Sequence, residues 1–372
     1  MRPEVACGID LGASPAWWVR RHAAIGSDAV RDEAVVALPI DDLLAGAAPL
    51  LVPEAEGDLT FPGHNNWRAL EAWARDAGRA ARPRISVHDW IGVAYPRSAP
   101  PALRQVLPAV LGLDAVPPKG SPPPGSPLLG IEAPAALLLE AVARGRIVAP
   151  ASLAVGTGPE SAREWTAATV RHDGRVLRIH LGRTADDPAA LGLPRFVGEE
   201  ADVARGAARY ALWRDRPWMP TPPERKGNAA LLPGPLAITT EVLHPLGVVA
   251  RQGADRWVWR RLFAAGAAIP TGRVPLLARS KGDESDGLDF AECLAPDLRD
   301  AQWLSRRRWA EAGLRWWSFH AHAWPRGRFR LEIDLRESRL SLGPDAPPPR
   351  WGLPVWSVDA ADGAPEPPGG PG

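Results

Sequence analysis

Two glycine-bounded turns carry the residues whose chemistry is most specific. In the first, Asp10 ends an apolar run and is followed by Gly12 and Ser14; in the second, Val155 leads into Gly156, Thr157 and Gly158. Glycine at a strand end lets the main chain approach an anion closely, and neighbouring amides and hydroxyls can then donate to phosphate oxygens. An acid at the same point can position a metal ion or a water, the role open to Asp10. The same spacing also fits plain tight turns that the strands require, and it leaves both readings open.

Other candidate chemistry is sparser. His320 and His322 alternate along a strand-like run and would share one face at a spacing able to hold a metal, but no third ligand accompanies them, so no metal site is expected there. Cys7 and Cys293 form neither a C-x-x-C pair nor a zinc-type set, which leaves them as buried hydrophobic thiols. There is no G-x-S-x-G elbow and no recognisable Cys/His arrangement for nucleophilic catalysis. Of the 17 tryptophans, Trp257 and Trp259 would lie on one face of a strand, with Phe263 further along it. Large rigid rings of that kind fill cores or anchor extended peptides.

Charge narrows the partners. With 44 Lys plus Arg against 43 Asp plus Glu there is no excess basic field to hold a phosphate backbone, and nucleic acid is not an expected partner. Lysine is nearly absent, occurring only at Lys119, Lys226 and Lys281, and a planar guanidinium does not replace a compact ammonium at every site. No apolar stretch reaches the roughly 18 residues of a membrane span. A soluble, cytoplasmic chain with no membrane partner is the expectation.

The elements that must position the two turns follow from periodicity. Residues 4–11 read as a strand entering the Gly12 turn, with 17–21 as the returning strand of a hairpin. Residues 85–95 are β-type and end at Pro96, and 101–112 carry apolar residues at helical spacing. A Pro/Gly/Ser-rich loop occupies 117–127, and a second helix is expected over 132–144. The strand at 153–155 leads to the second turn, 165–172 and 176–180 form a hairpin around Asp173-Gly174, and a small-residue helix spans 199–213. From 214 the sequence turns Pro-rich, and beyond it short strand-like runs at 243–252, 255–263, 274–280, 314–323 and 329–335 are separated by turn residues.

Four segments in this order resemble the Hsp70 chaperone family. Gly8-Ile-Asp-Leu-Gly-Ala-Ser14 looks like the family's first phosphate loop. Ile91-Gly-Val-Ala-Tyr-Pro96, with Arg104, Gln105 and Gly112-Leu113 downstream, is similar to its proline-ended strand and following helix, and Ile131-Glu-Ala-Pro-Ala-Ala-Leu-Leu138 to its Glu-Pro-x-Ala-Ala pattern, with one Ala inserted between Glu132 and Pro134. Glu200-Ala-Asp-Val-Ala-Arg-Gly-Ala-Ala208 resembles the small-residue helix beside the adenosine site, which implicates Gly206. Leu262-Phe263, Ala268-Ile-Pro-Thr271, Trp324-Pro-Arg-Gly327 and Leu331-Glu-Ile-Asp334 resemble strands of the family's peptide-binding β-domain, which separates the chain from sugar kinases and actins.

The resemblance implies a shortened member. It gives an α/β actin-like (Hsp70-type) nucleotide-binding lobe, truncated, over residues 1–213, a Pro-rich linker over 214–236, an all-β sandwich-like substrate-binding domain over 237–342, and a disordered Pro/Gly tail over 343–372. It further implies ATP and Mg2+ held by Asp10, Gly12, Ser14, Gly156, Thr157, Gly158 and Gly206, unfolded or extended polypeptide held by Trp257, Trp259 and Phe263, and a possible co-chaperone. The family's second phosphate loop is of Asp-Leu-Gly-Gly-Gly-Thr type and its first lobe carries a catalytic lysine; here Val155-Gly-Thr-Gly158 lacks the acid, and no lysine precedes Lys119. The segment that would close over the nucleotide is short, and no helical lid follows Leu342. Impaired hydrolysis, a pseudo-ATPase, is therefore expected. The alternative is a nucleotide-independent scaffold or interaction protein that keeps the fold.

Overall fold

The computed structural model describes residues 5–13, 16–23, 30–38, 90–99, 128–160, 163–173, 176–213, 236–252, 256–270, 273–280, 287–294, 302–304, 314–318, 327–334, 339–342 and 355–357. The expected helix over 101–112, the 117–127 loop, the 214–235 stretch, Ser14, all three lysines, His320 and His322 lie outside these residues.

The chain opens with β1 (Val5–Asp10), β2 (Ala16–Ala23) and β3 (Val30–Leu38), an antiparallel meander. Next come β4 (Trp90–Tyr95) and β5 (Leu128–Glu132), which add in parallel to give a five-stranded sheet of order β3-β2-β1-β4-β5. Ala6, Cys7, Gly8 and Ile9 are all buried, the pattern of a strand covered on both faces rather than one alternating with solvent. Helix α1 (Ala133–Ala143) starts directly at the end of β5, with Pro134 in its first turn where no amide is needed. It stops at Arg144 because Gly145 takes a left-handed φ of 70°, which turns the Gly145 and Arg146 amides back onto the Val142 and Ala141 carbonyls.

A second sheet follows. It contains β6 (Ala151–Thr157), β7 (Glu164–Asp173), β8 (Val176–Ala185) and β9 (Arg195–Val197), the last two separated by a 3-10 turn at Pro188–Leu191. Helix α2 (Asp202–Trp213) begins three residues later than the small-residue pattern suggests, because the Asp202 carboxylate accepts the Glu199 amide at 2.9 Å and Ala201 sits at φ 62°. Strands β10 (Leu236–Glu241) and, further on, β13 (Ala268–Pro270) complete this sheet in the order β13-β10-β8-β7-β6-β9. Residues on both sides of the expected 214–236 linker thus share one sheet.

The remaining strands are β11 (Leu246–Gln252), β12 (Arg256–Phe263), β14 (Arg273–Ser280), β15 (Gly287–Cys293), β16 (Gln302–Leu304), β17 (Leu314–Ser318), β18 (Gly327–Asp334), β19 (Arg339–Leu342) and β20 (Val355–Ser357). They form an antiparallel sheet, β16-β12-β11-β15-β17, and a four-stranded sheet, β19-β18-β14-β20. Within the segment 343–372, expected to be disordered, Val355-Trp-Ser357 is a strand: its β-prone residues pair in parallel with the edge of β14 that β18 leaves open.

Between the first two sheets lie both helices. α2 covers β1, β4 and β2, α1 covers β6, β8 and β7, and the helices pack on each other, giving the layers sheet, helix, helix, sheet. The main core runs through all four, from Ala6 and Ala94 through Leu137, Leu138, Val142, Ala207 and Tyr210 to Val155, Val170 and Ile179. The close approach depends on absent side chains. A Cβ on Gly8 would overlap the Ala204 carbonyl, one on Gly92 the Ala207 carbonyl, and one on Gly206 the Ala136 carbonyl of α1.

Buried charge locks the same layers. Glu140 of α1 has no solvent exposure and accepts from Arg21 of β2 at 2.6 and 3.0 Å, from Arg209 of α2 at 2.8 Å and from Arg144 at 2.7 Å. Burial pushes its carboxyl upward, but the Arg21 and Arg209 guanidiniums outweigh it and hold the pKa at about 2. Asp32 of β3 joins the network through Arg21 and Arg205, each at 2.7 Å.

Candidate functional site

The strands β1, β4 and β5 run in one direction, so Asp10, Tyr95 and Glu132 end at one border of the first sheet. In the second sheet β6, β8, β9 and β10 likewise share a direction, and Thr157 and Glu241 end at its corresponding border. Carboxyl ends of parallel strands are where open α/β sheets bind ligands, because side chains and turn amides converge there without disturbing the core.

Two links join the borders. Arg97, just beyond β4, is buried and donates to the carbonyls of Gly182 on β8 and Glu241 on β10, and to the Thr240 hydroxyl at 3.0 Å. Its Nε lies 3.7 Å from Glu132, whose carboxylate also accepts the Thr240 hydroxyl at 2.9 Å. Beside this, the Ser98 amide donates to Glu164 of β7 at 3.0 Å. The end of β4 is therefore held against β7, β8 and β10.

Asp10 lies at the centre of the first border. It is buried, its Oδ1 accepts the Gly12 amide at 2.9 Å, and a Cβ on Gly12 would press against Pro96. Desolvation pushes its carboxyl up to about 6, only partly offset by the Gly12 and Ala13 amides. A carboxyl titrating that near neutrality can hold or accept a proton from a neighbouring water, and such displacement is common at functional sites.

At the other border Thr157 is buried with its hydroxyl unpartnered, and Gly158 adopts φ 87°, a conformation natural to glycine. Gly156 makes room for Arg163 and the Trp165 ring, which a Cβ would meet. Among the described residues no group of three or more His, Cys, Asp or Glu could by itself hold a metal, and no helix is long and apolar enough to cross a membrane.

Asp10, Gly12, Gly156, Thr157 and Gly158 thus lie at the two facing borders, while Gly206 lies inside the helix pair as a packing residue against Ala136. Compared with known families and curated proteins, the chain matches no family model and no curated relative. Of the aromatic candidates, Trp257 and Trp259 lie on β12, flanked by β11 and β16; Trp259 is 1% exposed, so its ring is already used in packing, and Phe263 is half-buried at the strand end. Cys7 and Cys293 are buried and not in a disulfide.

Arg97, Glu132 and Glu164 were not legible as site residues from sequence. Glu132 stands in the Ile131-Glu-Ala-Pro134 motif, a signal without a role attached. Glu164 falls just before the strand expected at 165–172; its register opposite Thr157 is what gives it a position.

The groups the two borders offer are a buried hydroxyl at Thr157 with no hydrogen-bond partner, the glycine turns, and the carboxylates of Asp10, Glu132 and Glu164.

Proposed function

We propose that the chain is an Hsp70-like protein that binds unfolded or extended polypeptide through its β-rich half and uses the facing borders of its first two sheets as a nucleotide-responsive site. The observation carrying this reading is the meeting of the Asp10–Gly12 turn, through Pro96 and Ser98, with the hairpin that bears Thr157 and Glu164.

In this reading the Gly12 and Gly158 turns approach the phosphates, Thr157 donates its free hydroxyl, and Asp10 orients a water or a hydrated cation. When bound, ATP with Mg2+ supplies the charge that biases the two sheets between arrangements of different peptide affinity. Hydrolysis is slow: the second turn carries no acid of its own, and each missing preorganised group typically costs about 10²- to 10³-fold. The co-chaperone belongs to the same proposal.

A second reading, a nucleotide-independent scaffold or interaction protein, is favoured by one observation. Arg97 already ties the first sheet to β8 and β10 with buried hydrogen bonds, which suits a fixed arrangement. Fluorescence anisotropy of a labelled unfolded peptide, measured with and without ATP and Mg2+, separates the two. An affinity that changes with ATP supports the first reading; tight binding indifferent to ATP supports the scaffold; no peptide binding in either condition refutes the polypeptide-binding proposal.

A further inference from the structure

The second sheet turns a basic face away from the helices. Leu177, Ile179 and Leu181 of β8 and Val170 of β7 point into the core on the helix side, so alternation puts Arg171, Arg178 and His180 on the outer face. Arg171 and Arg178 stand directly opposite each other in the register, and both are exposed. Like charges so placed repel and weaken the strand pair. Toward the other end of the same face, Ala154, Trp165 and Leu191 form a small core, and the guanidiniums of Arg163 and Arg195 each lie 6.0 Å from the centre of the Trp165 ring. Arg183, exposed, reaches the 3-10 turn beside that core through the Ala190 carbonyl at 3.0 Å.

On the helix side the arginines are matched with acids: Arg21 and Arg209 with Glu140, Arg146 and Arg205 with Asp202. The outer face is different. Among the described residues Arg163, Arg171, Arg183 and Arg195 are in no ion pair, and the Arg163 Nε is shut off from solvent without an acceptor. The acids at outward register positions of these strands are Asp173, at the hairpin end, and Glu241, which stands 3.4 Å from His180. In a chain that carries 44 basic against 43 acidic residues, this segregates one sign of charge onto one surface.

We propose that this face docks an acidic segment of a partner polypeptide, running from the Arg171 and Arg178 pair to the Arg163 and Arg195 cluster. Arg171 lies six residues beyond Trp165 along β7, about 20 Å at about 3.3 Å per residue, which about seven extended residues span. Guanidiniums take carboxylates through two parallel N–H···O bonds, and a carboxylate set between Arg171 and Arg178 turns their repulsion into two attractions. Charge complementarity of this kind sets which partner docks and how fast, more than how tightly. A phosphate backbone fits less well, because the basic groups are confined to one face of a chain with no overall basic field to draw a polyanion.

The test uses the full chain and three fluorescein-labelled probes read by anisotropy: a peptide of about ten residues alternating Glu and Ala, a Lys and Ala peptide of equal length, and a single-stranded oligonucleotide. Wild type is expected to bind the Glu peptide and not the Lys peptide, and to lose about tenfold in affinity or more as salt rises from about 0.05 to about 0.5 M. The double variant Arg171→Gln, Arg195→Gln removes two exposed arginines that hold no ion pair, so the fold is kept, and its affinity for the Glu peptide should fall about tenfold or more. Arg31→Gln, an exposed arginine on β3 of the first sheet, serves as the control for net charge and should bind as wild type does. No binding of the Glu peptide by wild type, an affinity unchanged in the double variant, or an equal loss in Arg31→Gln overturns the proposal. An oligonucleotide bound more tightly than the Glu peptide, and released by the double variant, also overturns it and gives the face to nucleic acid. Binding that the double variant keeps belongs to the β-rich half instead.

Discussion

Asp10→Asn is expected to stabilise the protein at neutral pH while weakening its site. The Asp10 carboxyl is buried and its pKa is pushed from 3.8 to about 6 by desolvation. In that interval the folded state binds more protons than the unfolded state, so stability falls as pH rises from about 4 to about 6. A displacement of about two units corresponds to about 3 kcal/mol by pH 7, at about 1.4 kcal/mol per unit. Asparagine retains the Oδ1 that accepts the Gly12 amide and has no charge to desolvate. Urea unfolding of both proteins between pH 4 and pH 8 isolates the effect: the variant's advantage should be near zero at the acid end and grow by about 3 kcal/mol toward neutrality. A difference that is flat with pH, or a variant less stable at pH 7, would refute the assignment of a desolvated acid to this turn.

Three further perturbations test the frame around the site. Glu140→Gln removes the charge that Arg21, Arg144 and Arg209 share, leaving Arg21 with Asp32, and should cost about 3–5 kcal/mol in urea unfolding. Because the Glu140 pKa is depressed to about 2, its stabilisation is full above about pH 4.5 and is lost as pH falls toward 2, a loss absent in the variant. Gly8→Ala drives a methyl into the Ala204 carbonyl, so α2 must shift; a loss of about 1–3 kcal/mol is expected in urea unfolding. Arg97→Ala removes the donor to Gly182, Thr240 and Glu241, and faster amide hydrogen exchange in β10 than in β7 is the expected outcome.

The parts of this fold that rest on local signals were legible in the sequence. The β1–β2 hairpin, the strand ended by Pro96, the helix stopped before Gly145 and the β7–β8 hairpin each follow from alternation, proline or a glycine stop. Long-range pairing was not. Nothing local in Leu236–Glu241 says that it runs parallel to β8, and nothing in Val355–Ser357 says that it pairs with β14. The site divides the same way. Asp10, Thr157 and their glycines announce themselves as turns, whereas Arg97 and Glu164 gain a role only from partners 66 to 144 residues away. Gly206 shows the converse: a glycine that the motif assigns to a ligand is required by the Ala136 backbone.

The two kinds of buried polar contact make different demands on a moving protein. The Glu140 cluster joins β2, α1 and α2, so it fixes the helices to the first sheet as one body. Arg97, Glu132 and Thr240 cross instead to the second sheet. Any ligand that shifts one border against the other must exchange the Arg97 hydrogen bonds while leaving Glu140 untouched, since breaking a buried pair one-sidedly costs far more than swapping one acceptor for another. The Arg97 variant should therefore loosen the second sheet from the first without unfolding the core, whereas the Glu140 variant should destabilise the core itself.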